Sequence, residues 1–299
     1  MKKYKFSSIL GWSSSRFDCF SSCKRMYYYQ YYGKYDIKFS FEKIDSLKQL
    51  TSIPLEIGNI VHKVIHDLLL RLKKSSRQVN LEKFNAYLKN KLDEIIPSKT
   101  FSEIYYQELD SLDIQSMYQK ISKNLYNLLN SERFKWLQNI ASKSSDNWII
   151  EPKGYGETRI DGLKAYCKVD FAFPVEGCFY IMDWKTGKRH ATKHFKQLLG
   201  YSVWAADNYS LPSSKIIPII AYLYPKYIET SLTIQPEDIN SFTDLVKQET
   251  EQMYKFCIDI EKNIPKPKNF FPLTENKKIC AYCNFRELCY SPEQITKLS

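Results

Sequence analysis

The length, composition and charge of the chain set the first limits on its function. It has 299 residues, of which 43% are hydrophobic and 15% aromatic, and its formal net charge is +11. This composition excludes wholesale disorder and allows one globular domain or two small ones. The chain has no apolar run long enough to cross a membrane, and its first residues do not resemble a signal peptide. We therefore expect a soluble, cytoplasmic protein with no membrane partner.

The excess of positive charge favours a polyanionic partner. The chain has 44 lysine and arginine residues against 33 acidic ones, and cations that neutralise phosphates release counterions when nucleic acid binds. The alternative is a lysine-rich surface that is simply solvated. The charge therefore points to nucleic acid and needs support from specific residues.

The N-terminal half is predicted to be helical. Residues 14–33 carry aromatic side chains at helical spacing, a pattern typical of a core, with base stacking as the alternative. A continuous apolar stripe after Gly58 predicts a long helix, with His62 and His66 beside the stripe. About three further amphipathic helices are predicted between Leu81 and Leu137, and we interpret residues 75–147 as a helical insert.

The pattern changes to an alternation of period two after residue 147. Strands are predicted over 154–160, 163–173 and 178–184, with turns at 161–162 and 174–177. A helix over 192–208, strands over 216–224 and 228–234, and a long helix over 236–261 follow. A proline-containing linker then leads to the C-terminal cysteines.

The segment Asp183-Trp184-Lys185-Thr186-Gly187 ends an apolar strand and carries a carboxylate and a lysine on one face. If the preceding turn pairs Phe173 with Cys178, Asp170 lies opposite Ile181 and diagonal to Asp183. Diagonal neighbours are about 7–8 Å apart, close enough for two carboxylates to share one cation.

The chemistry of these three residues favours a metal site. Two neighbouring carboxylates repel each other unless a cation lies between them, and oxygen ligands suit Mg²⁺ or Mn²⁺. Lys185 can then polarise an attacking water while the metal stabilises charge on a phosphate. The alternative is an exposed salt bridge between Asp183 and Lys185 at the end of the strand.

These motifs resemble those of the PD-(D/E)XK nuclease superfamily, in particular its RecB-like branch, which includes CRISPR-associated exonucleases and recombination nuclease domains. The branch carries Asp-x-Lys-Thr-Gly, matched here at 183–187, and a helical Gly-x-x-x-His, matched at Gly58 and His62. It also carries Gln-x-x-x-Tyr on the helix after the catalytic strand, matched at Gln197 and Tyr201.

The resemblance implies a fold and a set of roles. The expected fold is α/β and restriction-endonuclease-like, with a mixed central sheet flanked by helices, in a single nuclease domain over 1–299. His62, Asp170, Asp183 and the main-chain carbonyl of Trp184 would bind the metal. Lys185 would activate water, and Gln197 and Tyr201 would line the catalytic cleft.

The cysteines at the two ends of the chain form a second candidate site. Cys280, Cys283 and Cys289 supply three thiolates, and a tetrahedral site needs a fourth. By resemblance to iron–sulfur members of the branch, Cys23 supplies it, and residues 13–33 and 276–299 would form a region around a [4Fe–4S] cluster that joins the chain ends. Structural Zn²⁺ on four thiolates is the rival, and Cys19 is an alternative fourth ligand.

The resemblance implies an Mg²⁺- or Mn²⁺-dependent deoxyribonuclease that acts on single strands or DNA ends. Recombination, repair and CRISPR or mobile-element processing are the expected settings, within complexes that could include protein partners. Candidate phosphate contacts surround the proposed cleft: Lys168, Lys188, Arg189 and Lys193. The alternative from another class is a non-catalytic scaffold subunit that binds DNA and carries iron–sulfur or zinc.

Overall fold

The computed structural model describes residues 4–152 and 156–298. The α-helices within these ranges are α1 (Ser14–Ser22), α2 (Lys24–Tyr32), α3 (Phe41–Lys48), α4 (Ile53–Lys74), α5 (Leu81–Ile95), α6 (Ser102–Tyr105), α7 (Ile114–Leu129), α8 (Glu132–Asn139), α9 (Ala191–Tyr209), α10 (Pro236–Tyr254), α11 (Lys277–Ala281) and α12 (Pro292–Ile295). None of the helices in the described ranges is both long and apolar enough to cross a membrane.

The strands in the described part of the chain are short and form three sheets. They are β1 (Ile149–Ile150), β2 (Glu157–Ile160), β3 (Leu163–Tyr166), β4 (Phe171–Val175), β5 (Cys178–Lys185), β6 (Ile216–Tyr222), β7 (Ile228–Ser231), β8 (Cys257–Asp259) and β9 (Ile264–Pro265). The main sheet has the order β1-β4-β5-β6-β7, and β2 with β3 and β8 with β9 form two-stranded sheets.

The chain divides into two compact units. The first comprises Thr51–Thr158 and Cys167–Phe242, and the second comprises residues 4–50, Arg159–Tyr166 and 243–298. In the first unit the main sheet is mixed, because β5 and β6 are parallel whereas β1–β4, β4–β5 and β6–β7 are antiparallel. Helices cover this sheet, which confirms the expected restriction-endonuclease-like α/β fold.

Alternation along β5 and β6 divides the main sheet into two packed faces. Met182, Trp184 and Ala221 pack with the apolar stripe of α4 and with α7. Ile181 and Ile220 point to the other face, where they pack with α9. Because successive side chains alternate between faces, Asp183 and Lys185 lie on the α9 side of the sheet.

Helix α4 packs through its apolar stripe as predicted, but it begins at Ile53, five residues before Gly58. The Ser52 hydroxyl accepts a hydrogen bond from the Leu55 amide at 3.4 Å, and a proline occupies the first turn. Gly58 is required by a close approach, since a Cβ at this position would lie 3.3 Å from Thr186 Oγ1. This approach brings the next turn of α4, with His62, against the end of β5.

The β4–β5 hairpin has a different register from the predicted one. Val175 pairs with Cys178, so the turn contains only Glu176 and Gly177, with φ values of 50° and 75°. Positive φ at both turn positions is characteristic of a two-residue hairpin turn. The predicted pairing of Phe173 with Cys178 is therefore wrong by two residues. A shift of two preserves the face on which every side chain lies.

The strand predicted over 163–173 is also wrong in extent. It is divided into β3 and β4, and residues 167–170 between them are not in a strand. Cys167 and Val169 pack on the α9 side, whereas Phe171 and Phe173 pack on the α4 side. A continuous strand over 163–173 would place these four residues on one face, so the break at residues 167–170 separates them. The strand predicted over 154–160 begins at Glu157 among the described residues; its first two positions lie outside them.

In the second unit, two predicted helices are interrupted or shortened. The helix expected over 14–33 is divided at Cys23, whose backbone is extended and whose Sγ accepts a hydrogen bond from the Met26 amide at 3.4 Å. The cysteine therefore begins a second helix. Helix α10 ends at Tyr254, and the sequence up to residue 261 forms β8 and the following turn.

We predict that Gly177→Ala lowers the free energy of unfolding by about 1 kcal/mol, because its φ of 75° places an L side chain in the left-handed region. Gly187→Ala is the matched control: a Cβ at this position would have no neighbour within 4 Å, and its φ is outside the left-handed region. Urea unfolding monitored by circular dichroism measures both. Equal destabilisation by the two substitutions would contradict the assigned turn.

Candidate active site

Asp170 and Asp183 lie side by side, Asp170 immediately before β4 and Asp183 on β5. The register of β4 and β5 pairs Phe171 with Met182, and its continuation places Asp170 directly opposite Asp183 instead of diagonal to it. The Trp184 amide donates a hydrogen bond to Asp170 Oδ2 at 3.0 Å. The prediction that the two carboxylates lie on one face of the hairpin therefore agrees with this geometry, although the pairing differs.

Lys185, Gln197 and Tyr201 surround the Asp183 carboxylate. Lys185 Nζ lies 2.5 Å from Asp183 Oδ2 and donates a hydrogen bond to Gln197 Oε1 at 2.8 Å. The Gln197 amide and the Tyr201 hydroxyl donate to Asp183 Oδ1 at 3.0 and 2.8 Å. Because Gln197 and Tyr201 are four residues apart on α9, both face the sheet. They hold the carboxylate and the ammonium in fixed positions.

His62 approaches this pair of strands from α4. Its Nδ1 lies 3.3 Å from Asp170 Oδ2, and its Nε2 is within hydrogen-bond distance of the Trp184 carbonyl oxygen, at 2.9 Å. The two nitrogens of one imidazole thus contact two of the other predicted metal ligands. His62, Asp170 and Trp184 are brought together, and Asp183 is next to Asp170.

Burial and charge shift the pKa values of the two carboxyls in opposite directions. Burial and the neighbouring charge of Asp170 raise the pKa of Asp183 to about 6, although Lys185 opposes this shift. Burial also raises the pKa of Asp170, but the charge and hydrogen bond of His62 outweigh it, so that this pKa is lowered. Asp170 raises the pKa of His62 in turn, against the effect of burial. Burial next to Asp183 raises the pKa of Tyr201, which keeps its hydroxyl protonated.

The donor atoms fit a divalent cation in their chemistry. Two carboxylates, a main-chain carbonyl and an imidazole are ligands that Mg²⁺ or Mn²⁺ accepts. Asp183 is 1% exposed, and its charge is only partly balanced by Lys185, so a cation would relieve the repulsion between the carboxylates. Within the described ranges, however, no three His, Cys, Asp or Glu side chains are already arranged around a common metal position.

Further polar residues near Lys185 were not predicted from the sequence. The register of β5 and β6 pairs Lys185 with Tyr222, and the Tyr222 hydroxyl lies 2.6 Å from His194 Nδ1. Burial and the charge of Lys185 lower the pKa of His194 to about 4. His194 precedes Gln197 by one helical turn, and this spacing was the available signal.

The four predicted phosphate contacts are exposed and only partly grouped. Lys188 and Arg189 follow β5 in an exposed loop, where the Arg189 guanidinium lies 4.8 Å from the ring centroid of Tyr222. Lys193 is exposed in the first turn of α9. Lys168 lies between β3 and β4, with its Nζ 3.9 Å from Glu151 Oε2. Three of the four therefore follow the Asp183-Trp184-Lys185 segment directly.

The cysteines predicted to bind the second metal line one pocket in the second unit. Cys23, Cys280, Cys283 and Cys289 all contribute to it, and Cys19 does not. All are free thiols, and burial raises the pKa of Cys283 to about 12 and that of Cys289 to about 11. The pocket that they help to line has a volume of about 10 Å³, which is enough for one water molecule.

The two ends of the chain pack together around this pocket. The Arg25 amide and Nε donate to the carbonyls of Pro272 and Phe271 at 3.1 and 2.8 Å. The ring centroids of Tyr29 and Phe285 are 5.5 Å apart. Direct contacts therefore already hold Cys23 near the C-terminal cysteines.

We predict that the stability of the metal-free protein contains a component that decreases as the pH rises from about 4 to 6. Asp183 has a higher pKa in the folded state than in an unfolded chain, so the folded state binds more protons in this window and loses stability as they dissociate. Thermal unfolding of the wild type and Asp183→Asn over pH 4–8 should differ in slope, by a total on the order of 3 kcal/mol. Parallel curves would contradict the raised pKa.

Comparisons with known proteins identify the family of the chain. No curated protein sequence matches the chain. Among solved structures it is similar to the crystal structure of SSO0001, with 17% identity over 72% of this chain and 99% of that chain and a TM-score of 0.31. The family model of the PD-(D/E)XK nuclease superfamily matches residues 11–290. Because this match covers nearly the whole sequence, the chain belongs to the PD-(D/E)XK nuclease superfamily.

Proposed function

We propose that the protein is a metal-dependent nuclease that hydrolyses phosphodiester bonds in DNA. The observation that carries the proposal is the juxtaposition of Asp170 and Asp183 with Lys185 at the end of β5. Members of the superfamily are generally nucleases, so the family implies a nucleic-acid substrate. The proposed substrate is DNA, and the proposed metal is Mg²⁺ or Mn²⁺.

His62, Asp170, Asp183 and the Trp184 carbonyl would hold the cation. When bound, it would neutralise the paired carboxylates and stabilise negative charge on the scissile phosphate. Tyr201 and Gln197 keep Asp183 Oδ1 in place through two hydrogen bonds. The second oxygen of the Asp183 carboxylate, Oδ2, therefore faces Lys185.

Lys185 would position the attacking water. An ammonium group has three N–H donors, and two of them face Asp183 and Gln197. The third can donate to the water oxygen or to a phosphate oxygen that gains charge in the transition state. Because these contacts hold Nζ in place, the Lys185 side chain needs little reorganisation when the substrate binds.

The exposed cations after β5 support DNA as the ligand. Lys188, Arg189 and Lys193 follow Lys185 along the chain and are exposed on the surface, where phosphate contacts form. Together with the net charge of +11, they favour a substrate that carries several phosphates. We propose single strands or DNA ends as the substrate, in recombination, repair or CRISPR-related DNA processing.

We further propose that Cys23, Cys280, Cys283 and Cys289 bind a [4Fe–4S] cluster, supported by their common pocket and by the resemblance to RecB-like nucleases. Structural Zn²⁺ remains the second candidate.

The nuclease proposal predicts that purified wild type cuts labelled single-stranded DNA with Mg²⁺ or Mn²⁺ and not with EDTA. Asp183→Ala and Lys185→Ala should each lower the cleavage rate at least about 100-fold, since removing one group that stabilises transition-state charge commonly has an effect of this size. Lys247→Ala, an exposed substitution on α10, is the control for lost charge.

A DNA-binding measurement on the same variants distinguishes a nuclease from a non-catalytic scaffold subunit. If all variants and the wild type bind DNA and none cuts it, the protein is a scaffold subunit and the catalytic assignment is wrong. If Asp183→Ala cuts as fast as the wild type, another site performs the hydrolysis.

The cysteine proposal predicts iron and acid-labile sulfide in protein purified without oxygen. Cys280→Ala should lose the metal and lower the melting temperature, because binding energy at such a site contributes to folding. Cys178→Ala, outside the pocket, should retain both. Stoichiometric zinc without iron would reject the cluster and support the zinc site, and the absence of both metals would reject either site.

A further inference from the structure

A pocket separate from the catalytic residues lies between α4 and the beginning of α5. Its volume is about 440 Å³, within the range of small-molecule sites. The segment that joins the two helices, residues 77–80, forms one wall. All of the lining residues belong to the first unit.

The floor of the pocket is apolar and partly aromatic. It consists of Leu68, Val79, Phe84 and the ring of Tyr87. The Tyr87 hydroxyl donates to Asp67 Oδ2 at 2.5 Å, which fixes the ring against α4. An apolar floor with a fixed aromatic ring suits a flat, weakly polar group such as a nucleobase.

Three cations line the same pocket: Arg71, Arg77 and Lys83. Arg71 Nη2 donates to the carbonyls of Arg77 and Gln78 at 2.9 and 3.0 Å, so its guanidinium is held in place. Its Nη1 is buried and has no hydrogen-bond partner among the described residues. Arg71 is therefore fixed at the edge of the pocket, while Arg77 and Lys83 are exposed and can reach a bound anion.

The single acidic residue of the pocket is already paired. Asp67 accepts from Tyr87 and lies 3.1 Å from His66 Nδ1 and 3.5 Å from Lys63 Nζ. These contacts partly compensate the charge of Asp67, and the three cations of the lining leave the pocket with a net positive charge that favours an anion. An apolar floor with cations beside it fits a ligand that has a flat part and a phosphate.

We propose that this pocket binds a nucleotide, with the base on the apolar floor and the phosphate at Arg71, Arg77 and Lys83. The bound nucleotide is either a free nucleoside monophosphate or the phosphorylated end of a DNA strand, since both carry a base and a terminal phosphate. Arg71 lies nine residues after His62 on α4, or about 13 Å along the helix axis. Nine residues also correspond to about two and a half turns, so the pocket lies on a different face of α4 from His62.

The site is tested by isothermal titration with dAMP, inorganic phosphate and deoxyadenosine. The dAMP molecule contains no phosphodiester bond, so binding is independent of the proposed nuclease function. We expect dAMP to bind at least tenfold more tightly than either fragment. Arg77→Ala/Lys83→Ala should weaken dAMP binding at least tenfold, whereas Lys74→Ala/Lys89→Ala, with the same change in charge outside the pocket, should leave it unchanged.

Two results would overturn the proposal. Equal binding of dAMP and inorganic phosphate would mean that no base is recognised, and equal losses in the two double variants would mean that only the overall charge matters. Competition experiments then identify the source. Displacement of dAMP by a 5′-phosphorylated oligonucleotide and not by its 5′-hydroxyl form supports the strand end, and failure of both to compete supports the free nucleotide.

Discussion

The repulsion between Asp170 and Asp183 is the constraint on which the proposed site depends. The hairpin register places two carboxylates opposite each other, and one of them is almost fully buried. Two like charges in such a position cost free energy unless they are compensated. Two basic side chains provide part of this compensation: His62 next to Asp170, and Lys185 next to Asp183. A bound divalent cation would provide the rest.

The fold supplies these compensating groups from three different elements. Helix α4 carries His62 on one side of the sheet, and α9 carries Gln197 and Tyr201 on the other. Strand β5 lies between them and places Asp183 and Lys185 on the α9 face, while its backbone offers a carbonyl to the imidazole of α4. Because all three elements are rigidly packed through the apolar residues of the sheet, the polar groups keep their distances without support from a ligand.

Asp183 and Lys185 could be placed together from the sequence because residues two apart on one unbroken strand share a face, whereas His62, Gln197 and Tyr201 were identified by the resemblance of their motifs. The register of the hairpin was predicted wrongly, yet the error of two residues left Asp170 and Asp183 on one face. The division of the first helix at Cys23 was missed because a cysteine is not a usual helix cap. The contact of Tyr222 with His194 has no local signal, since it depends on the parallel register of β5 and β6. Local patterns thus identify faces, whereas contacts between distant residues require the fold.

The central claim is that the paired carboxylates bind a divalent cation, and Mn²⁺ binding measured by electron paramagnetic resonance tests it most directly. The account predicts that wild type and Lys185→Ala bind Mn²⁺ with similar affinity, since Lys185 is not a ligand, whereas Asp170→Ala and Asp183→Ala each weaken binding at least tenfold. Retention of wild-type affinity in Asp183→Ala would contradict it.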